Sequence, residues 1–169
     1  MNAPAQMAEL QAQIDALQNR LQALEDLKDR EAIAQLLASY GPAVDSNRLQ
    51  AAADLWADDG SYAVAGFGAH QGRAALVDLL AAPHHQQLLA DGCAHILSAP
   101  HIVLQGERAL AYNYSCVFRH SAAGFSPERV AANRWELEKT PQGWQVIRRD
   151  NALLDGSAAA RQLFDISAP

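Results

Sequence analysis

At Gly92 the spacing of the apolar residues changes, and that change decides what kind of domain the chain can form. Before it, apolar positions recur every three or four residues, as on a helix face. After it they alternate, as on a strand with one buried side. Four strands fit the second half, roughly Cys93 to Leu104, Ala109 to His120, Arg129 to Lys139 and Trp144 to Leu154, separated by Gly106, Gly124 and Pro141-Gln142-Gly143. Helices followed by a meander, without strand and helix taking turns, predict an α+β domain. Its curved, mostly antiparallel sheet would wrap over N-terminal helices as a cone with an internal pocket, the usual setting for a small-molecule site.

The first half carries two helical patterns. Met7, Leu10, Ile14, Leu17, Leu21 and Leu24 follow a heptad a/d seam among Gln, Ala, Glu and Arg, with Arg20 and Glu25 at g and e. Residues 1–28 therefore form a helical arm seeking a partner, in another copy or in its own domain. From Asp29 the apolar face widens through Ile33, Leu36, Leu37 and Tyr40, as suits packing on a sheet in a domain spanning 29–169. Gly41-Pro42 is expected to interrupt that helix, leaving Asp45 just beyond the break. A second helix is expected from Arg48 to Ala57, with Leu49, Ala52, Ala53 and Trp56 inward, stopped by Asp58-Asp59-Gly60. Tyr62 to Gly68 reads as a short strand and Gly72 to Leu80 as a helix. Pro83 breaks that helix before a polar His84-His85-Gln86-Gln87 segment.

Composition narrows the function classes. A chain of 169 residues with 50% hydrophobic content can bury one good core beside the arm. A net charge of -6 argues against a nucleic-acid or anionic-membrane surface, which needs clustered Lys and Arg. No apolar run approaches a membrane span of roughly 20 residues, and the N-terminus lacks a signal-peptide core, so a cytoplasmic protein is expected. Cys93 and Cys116 have no CxxC spacing, and His84-His85, His101 and His120 form no metal motif, so neither metal nor other cofactor is expected. The expected partners are a hydrophobic small molecule and further copies of the chain.

Within the strand pattern one residue stands out. Cys93, His95 and Leu97 share a strand face, and a histidine among such neighbours must be satisfied by a hydrogen bond or put to use. A satisfied core or edge histidine and a catalytic one both fit this segment alone.

Several spaced residues together resemble a known family. They are Tyr40-x4-Asp45, Leu55-Trp56-Ala57-Asp58-Asp59-Gly60, Gly72-Arg73-x-Ala75-Leu76, His95, and a hairpin ending Gly143-Trp144-Gln145-Val146-Ile147-Arg148-Arg149. This order resembles the SnoaL-like branch of the nuclear-transport-factor-2-like superfamily over nearly all of the chain beyond the arm. Within it the residues are most similar to scytalone dehydratase, bile-acid 7α-dehydratase and hexachlorocyclohexane dehydrochlorinase, cofactor-free lyases built on an Asp–His pair. The resemblance implies that Asp45 and His95 are that pair. It also places Cys93, Tyr40, Asn133 and Arg149 at pocket positions of one or another relative, and implies a trimer first and a dimer second. Arg119 and His120 lie near, but out of register with, a second catalytic histidine of scytalone dehydratase. Val64 and Ala131 replace its polar pocket groups, so its substrate is not implied.

The chemistry open to such a pair follows from the residue types. An imidazole can take a proton from carbon when an acceptor holds its other nitrogen, and Asp45 would accept Nδ1–H. Arg149, Asn133 and Tyr40 could meet developing negative charge. Alternatively Arg149 pairs with Asp150 or another acid, Tyr40 is a core residue, Asn133 caps an edge and Asp45 caps the next helix. Cys93 reads as a small pocket-lining residue. Tyr62, Phe67, Tyr112, Tyr114, Phe118 and Trp135 could shape a site for a cyclic or aromatic ligand, with Tyr62 and Trp135 as candidate contacts. Leu163, Phe164 and Ile166 in the tail could cover the pocket mouth or reach a neighbour. The expected function is a lyase eliminating water, halide or a small carbon fragment such as formaldehyde. An isomerase or cyclase using the same base, or a non-catalytic ligand-binding module, is the alternative.

Overall fold

The computed structural model describes residues 3–165. Its first element, α1 (Ala3–Asp45), is one helix of 43 residues, so the heptad stretch and the core-facing stretch form a single rod. Met7, Leu10, Ile14, Leu17, Leu21, Leu24 and Leu27 are all exposed, and no described part of the chain folds back over them. Farther along, Ile33, Leu37, Tyr40 and Val44 enter the main core.

The expected break at Gly41-Pro42 does not occur, because both residues lie within α1. Pro42 has no N–H for the carbonyl one turn earlier, but tertiary packing on either side holds the helix in line. Gly41 serves close approach rather than termination: a Cβ there would overlap the carbonyl oxygen of His95. The dipeptide therefore marks where the helix crosses the histidine-bearing strand. Asp45 is the last residue of α1, not a residue beyond a break.

The second helix is shorter than expected. α2 (Leu49–Ala53) stops early, and β1 (Trp56–Val64) begins where the pattern suggested helix. Trp56 does face inward, but from a strand paired with the C-terminal part of the sheet. Asp58-Asp59-Gly60 forms an irregular stretch of that strand and ends no helix. Gly60 is required there, since a Cβ would press on the Trp56 ring and the Val146 carbonyl at 2.9 Å. β2 (Gly68–Gln71) closes a hairpin with β1, and α3 (Arg73–Ala81) follows. The polar segment after Pro83 is also helical: α4 (Pro83–Asp91) starts at the proline, whose missing N–H is harmless in a first turn.

Five strands, not four, complete the chain: β3 (Cys93–Leu97), β4 (His101–Gln105), β5 (Arg108–Ser121), β6 (Gly124–Thr140) and β7 (Gly143–Leu153). The expected first strand divides at Ser98-Ala99-Pro100, where Pro100 supplies no ladder donor. Both halves still pair with β5, β3 along residues 115–119 and β4 along 108–112. The curved, unclosed sheet runs β2-β1-β7-β6-β5-β3, antiparallel except where β1 meets β7. This is the expected α+β architecture.

Register fixes which side chains share the inner face. Asn113 lies opposite Asn133, Asn133 opposite Asn151, and Trp135 opposite Arg149. The alternate residues Ala132 and Ala152 point outward and are covered by α5 (Ala158–Leu163), with Phe164 4.9 Å from the Tyr114 ring. The tail thus docks on the outer face of its own sheet, not over the pocket; Ile166 lies outside the described residues. No helix among the described residues is long and apolar enough to cross a membrane.

Candidate active site

A pocket of about 370 Å³ opens between α1, α3, α4 and the inner face of the sheet. Its size is that of a small-ligand site. Tyr40, Tyr62, Phe67, His85, His95 and Arg149 are among its walls.

Asp45 stands behind His95. Its Oδ1 lies 2.6 Å from His95 Nδ1, and its Oδ2 accepts the His95 backbone N–H at 2.8 Å. Cys93 Sγ donates to Oδ1 at 3.6 Å. Burial alone would raise the Asp45 carboxyl, but the side-chain and backbone hydrogen bonds from His95 outweigh it and hold the group below the usual carboxylate range. An ionised carboxylate only accepts, so the imidazole proton sits on Nδ1 and Nε2 carries the lone pair. Among the described residues nothing bonds that Nε2, and His95 lines the pocket. The position of Asp45 explains its reach, since α1 passes closest to β3 at Gly41 and delivers the carboxylate one turn later.

Asp45, Cys93 and His95 also lie within 4.8 Å of one another, as metal ligands could. Their contacts are hydrogen bonds, however, with Asp45 the shared acceptor. Burial and the neighbouring Asp45 charge push the Cys93 thiol up to about 11, so at neutral pH it is protonated and donates to Asp45. Cys93 touches Asp45 and does not line the pocket.

Arg149 is the second centre. Although only 2% exposed, it has no carboxylate partner among the described residues; the expected alternative partner Asp150 pairs with Arg148 instead. Its guanidinium carbon lies 4.1, 4.4 and 4.6 Å from the ring centroids of Trp135, Tyr62 and Tyr40. Three aromatic faces thus solvate the cation. Nε and Nη2 donate to Asn133 Oδ1 at 3.0 and 2.8 Å, while buried Nη1 has no partner. Burial first, then the neighbouring Tyr62, raises the Tyr40 phenol well above its ordinary value, so Tyr40 remains a neutral donor.

The expected substrate contacts therefore divide. Tyr40, Tyr62, His95 and Arg149 line the cavity. Asn133 and Trp135, both fully buried, do not; they lie one layer below, where Asn133 also accepts from Asn151 Nδ2 at 2.9 Å and Trp135 Nε1 donates to Asn113 Oδ1 at 3.0 Å. Their contacts fix Arg149, so they position a contact residue in place of touching the ligand. Phe67 is on the wall, whereas Tyr114 faces outward against Phe164.

Three groups at the pocket were not among the expected site residues. Arg119 spans Glu128, at 3.0 Å through two nitrogens, and Asp91 at one side of the pocket. Arg129 donates to the Ala65 carbonyl and to Asn151 Oδ1. His85 is buried in the wall beside His95, its ring centroid 5.5 Å away. Its only sequence signal is the three-residue spacing to Leu88, the other buried side chain of α4.

Comparison with known proteins follows this geometry. Residues 25–150 match the SnoaL-like domain family. No curated protein matches the sequence. An NTF2-like protein with a cystatin-like fold from Novosphingobium aromaticivorans is 48% identical, with 88% of this chain and 96% of that one covered and a TM-score of 0.85. Hexachlorocyclohexane dehydrochlorinase LinA-type3 from Novosphingobium barchaimii superposes with a TM-score of 0.68, covering 78% of this chain and 90% of its own at 18% identity. Aln2 from a Streptomyces species gives a TM-score of 0.67, covering 76% and 93% at 16% identity. At such identities the last two show the fold.

Proposed function

Since the chain belongs to the SnoaL-like family, we propose that it is a small-molecule enzyme, a lyase eliminating water, halide or a small carbon fragment from a hydrophobic, cyclic or aromatic substrate without a cofactor. The observation that carries this reading is the 2.6 Å contact from Asp45 to His95 Nδ1, with Nε2 unbonded at the pocket wall. For loss of halide or water, His95 Nε2 takes a proton from carbon, the C–H electron pair becomes the new double bond, and the leaving group departs with its own bonding pair. For loss of formaldehyde it takes a hydroxyl proton, the O–H pair forms the C=O and the C–C pair stays on the substrate as an enolate. A halide leaves as the anion; a hydroxyl leaves as water by recovering the proton from the imidazolium. Asp45 stabilises the cation as it forms. Arg149, whose guanidinium carbon lies over the Tyr40 ring and whose Nη1 has no partner among the described residues, is the donor for the negative charge that develops.

The same donor also suits an enolate oxygen, which supports isomerisation as the second reading. It differs in returning the proton to another carbon of the substrate. The structural similarity to a dehydrochlorinase supports elimination first.

The test is a panel of halogenated cyclohexanes and cyclic β-halo and β-hydroxy ketones, followed by halide release and the rise of conjugated absorbance. Turnover of at least one member, falling about 10²- to 10⁴-fold in His95→Gln, is expected. Equal turnover in that variant overturns the base. Deuterium from solvent appearing at a new carbon of an otherwise unchanged skeleton assigns isomerisation.

The exposed seam of α1 supports self-association in this reading. The proposed occupant is a further copy, because Arg20 at g and Glu25 at the following e are complementary across parallel helices; a trimer is proposed before a dimer on the resemblance to the lyases named above.

A further inference from the structure

We infer that His85 is a second functional histidine of this pocket: a fixed hydrogen-bond acceptor that selects ligands carrying a hydroxyl or N–H close to the atom His95 attacks. His85 Nδ1 lies 2.7 Å from the Leu80 carbonyl, and a carbonyl only accepts, so the proton is on Nδ1. That leaves the lone pair on Nε2, which is buried and has no partner among the described residues. The residue is 7% exposed, yet it lines the same cavity as His95.

A histidine kept only for packing would use both nitrogens or be replaced by an apolar residue, because a buried acceptor without a donor is a standing cost. Here the second nitrogen is left unpaired, itself buried, on a side chain that lines the cavity, so a ligand donor reaches it by a small shift of the wall. The last turn of α3 fixes it, since Leu80 supplies the carbonyl and Pro83 starts α4 two residues before His85. Burial, reinforced by neighbouring His95 and His84, disfavours the imidazolium. His85 therefore accepts a hydrogen bond and does not protonate a leaving group. With ring centroids 5.5 Å apart, His85 and His95 can meet one ligand on nearby atoms. The donor that His85 holds stays on the ligand, and its place decides which neighbouring C–H meets His95. Which C–H reacts rests on the proposed elimination; the His85 bond to the ligand does not.

The direct test uses 2-naphthol and 2-methylnaphthalene, two rings of equal shape of which only the first donates a hydrogen bond. Calorimetry on the full chain should show 2-naphthol bound about tenfold more tightly, with the preference removed in His85→Phe and kept in His95→Gln. In ¹⁵N spectra of the imidazoles, His85 Nε2 should be unprotonated in the free protein and shift upfield with 2-naphthol alone. Should His85→Phe fail to fold, those spectra decide on the wild type. Equal affinity of the two probes, a preference surviving in His85→Phe, a preference lost only in His95→Gln, or a proton on His85 Nε2 each overturns the assignment. Turnover lost in His95→Gln while the two probes bind alike sinks His85 and spares the base. A preserved probe preference with turnover unchanged in His95→Gln does the reverse.

Discussion

The arm and the pocket break the same rule in opposite directions. In the arm, leucines, an isoleucine and a methionine face solvent, from 46% to 67% exposed; in the pocket wall and the layer beneath it, Arg149, His85 and three asparagines are withdrawn from it. Each inversion is a demand for something outside the chain. Covering the remaining exposed half of seven large apolar side chains is worth roughly 5–10 kcal/mol per chain, enough to offset much of the cost of association. A buried guanidinium without a carboxylate and a buried imidazole nitrogen without a donor call instead for a small polar group carried on a ring. In the proposed reading, apolar excess draws copies of the chain together and polar excess selects the ligand.

Substitutions should separate the two demands. The largest expected effect is on rate: Asp45→Asn should cost about 10²- to 10⁴-fold in kcat on any panel substrate, as His95 loses tautomer control, without changing oligomer mass. A wild-type rate would detach the pair from the chemistry. Next, Ile14→Glu with Leu21→Glu, at two a positions of the seam, should reduce the mass in light scattering to that of one chain and leave the probe affinities unchanged. A single-chain mass for the wild type would mean that the seam serves another partner.

A smaller effect concerns stability. Arg149→Met removes an unpaired buried charge while keeping much of the volume between Tyr40, Tyr62 and Trp135. Removing buried charge in favour of apolar packing is often neutral or stabilising. Urea unfolding should therefore show equal stability or a gain of about 1 kcal/mol, with turnover lost. A loss of about 3 kcal/mol would show that the arginine holds the fold together and is not held ready for a ligand.

Much of this could be read from the sequence because it rests on local pattern. The change of period at Gly92 gave the α+β class, and the spacing of Asp45 and His95 within a recognisable family order paired them before any geometry was known. What escaped depends on contacts between distant segments. Gly41-Pro42 looks like a helix stop in isolation, yet Gly41 is explained only by the His95 carbonyl against it. Trp56 fitted a helix face because its inward direction is the same from a strand. Asn133 and Trp135 were placed on the correct face, but depth within that face is a property of packing, and it puts them behind Arg149. His85 sat in a polar quartet, and only the fold reveals that one of its four members is buried.

The smallest predicted effect is on the acid limb of stability, where two groups of the pocket contribute in separate pH ranges. Burial lowers the His85 pKa from its ordinary value near 6.5, with His84 and His95 adding to the shift and Asp45 and the Leu80 carbonyl opposing it. The unfolded chain then binds a proton at a pH where the folded one does not. Stability is fully present above about 6.5 and declines as pH falls towards the lowered folded value. Asp45 acts lower down: its folded pKa lies below the ordinary 3.8, so its contribution is present above that value and is lost as pH falls through the folded one. Urea midpoints followed by tryptophan fluorescence from about pH 7 to about pH 3 should therefore fall in two steps. His85→Phe should remove the upper step and Asp45→Asn should weaken the lower one, while the double substitution in the arm should alter neither. An upper step that survives His85→Phe would mean that another buried group, and not the unpartnered histidine, is protonated first.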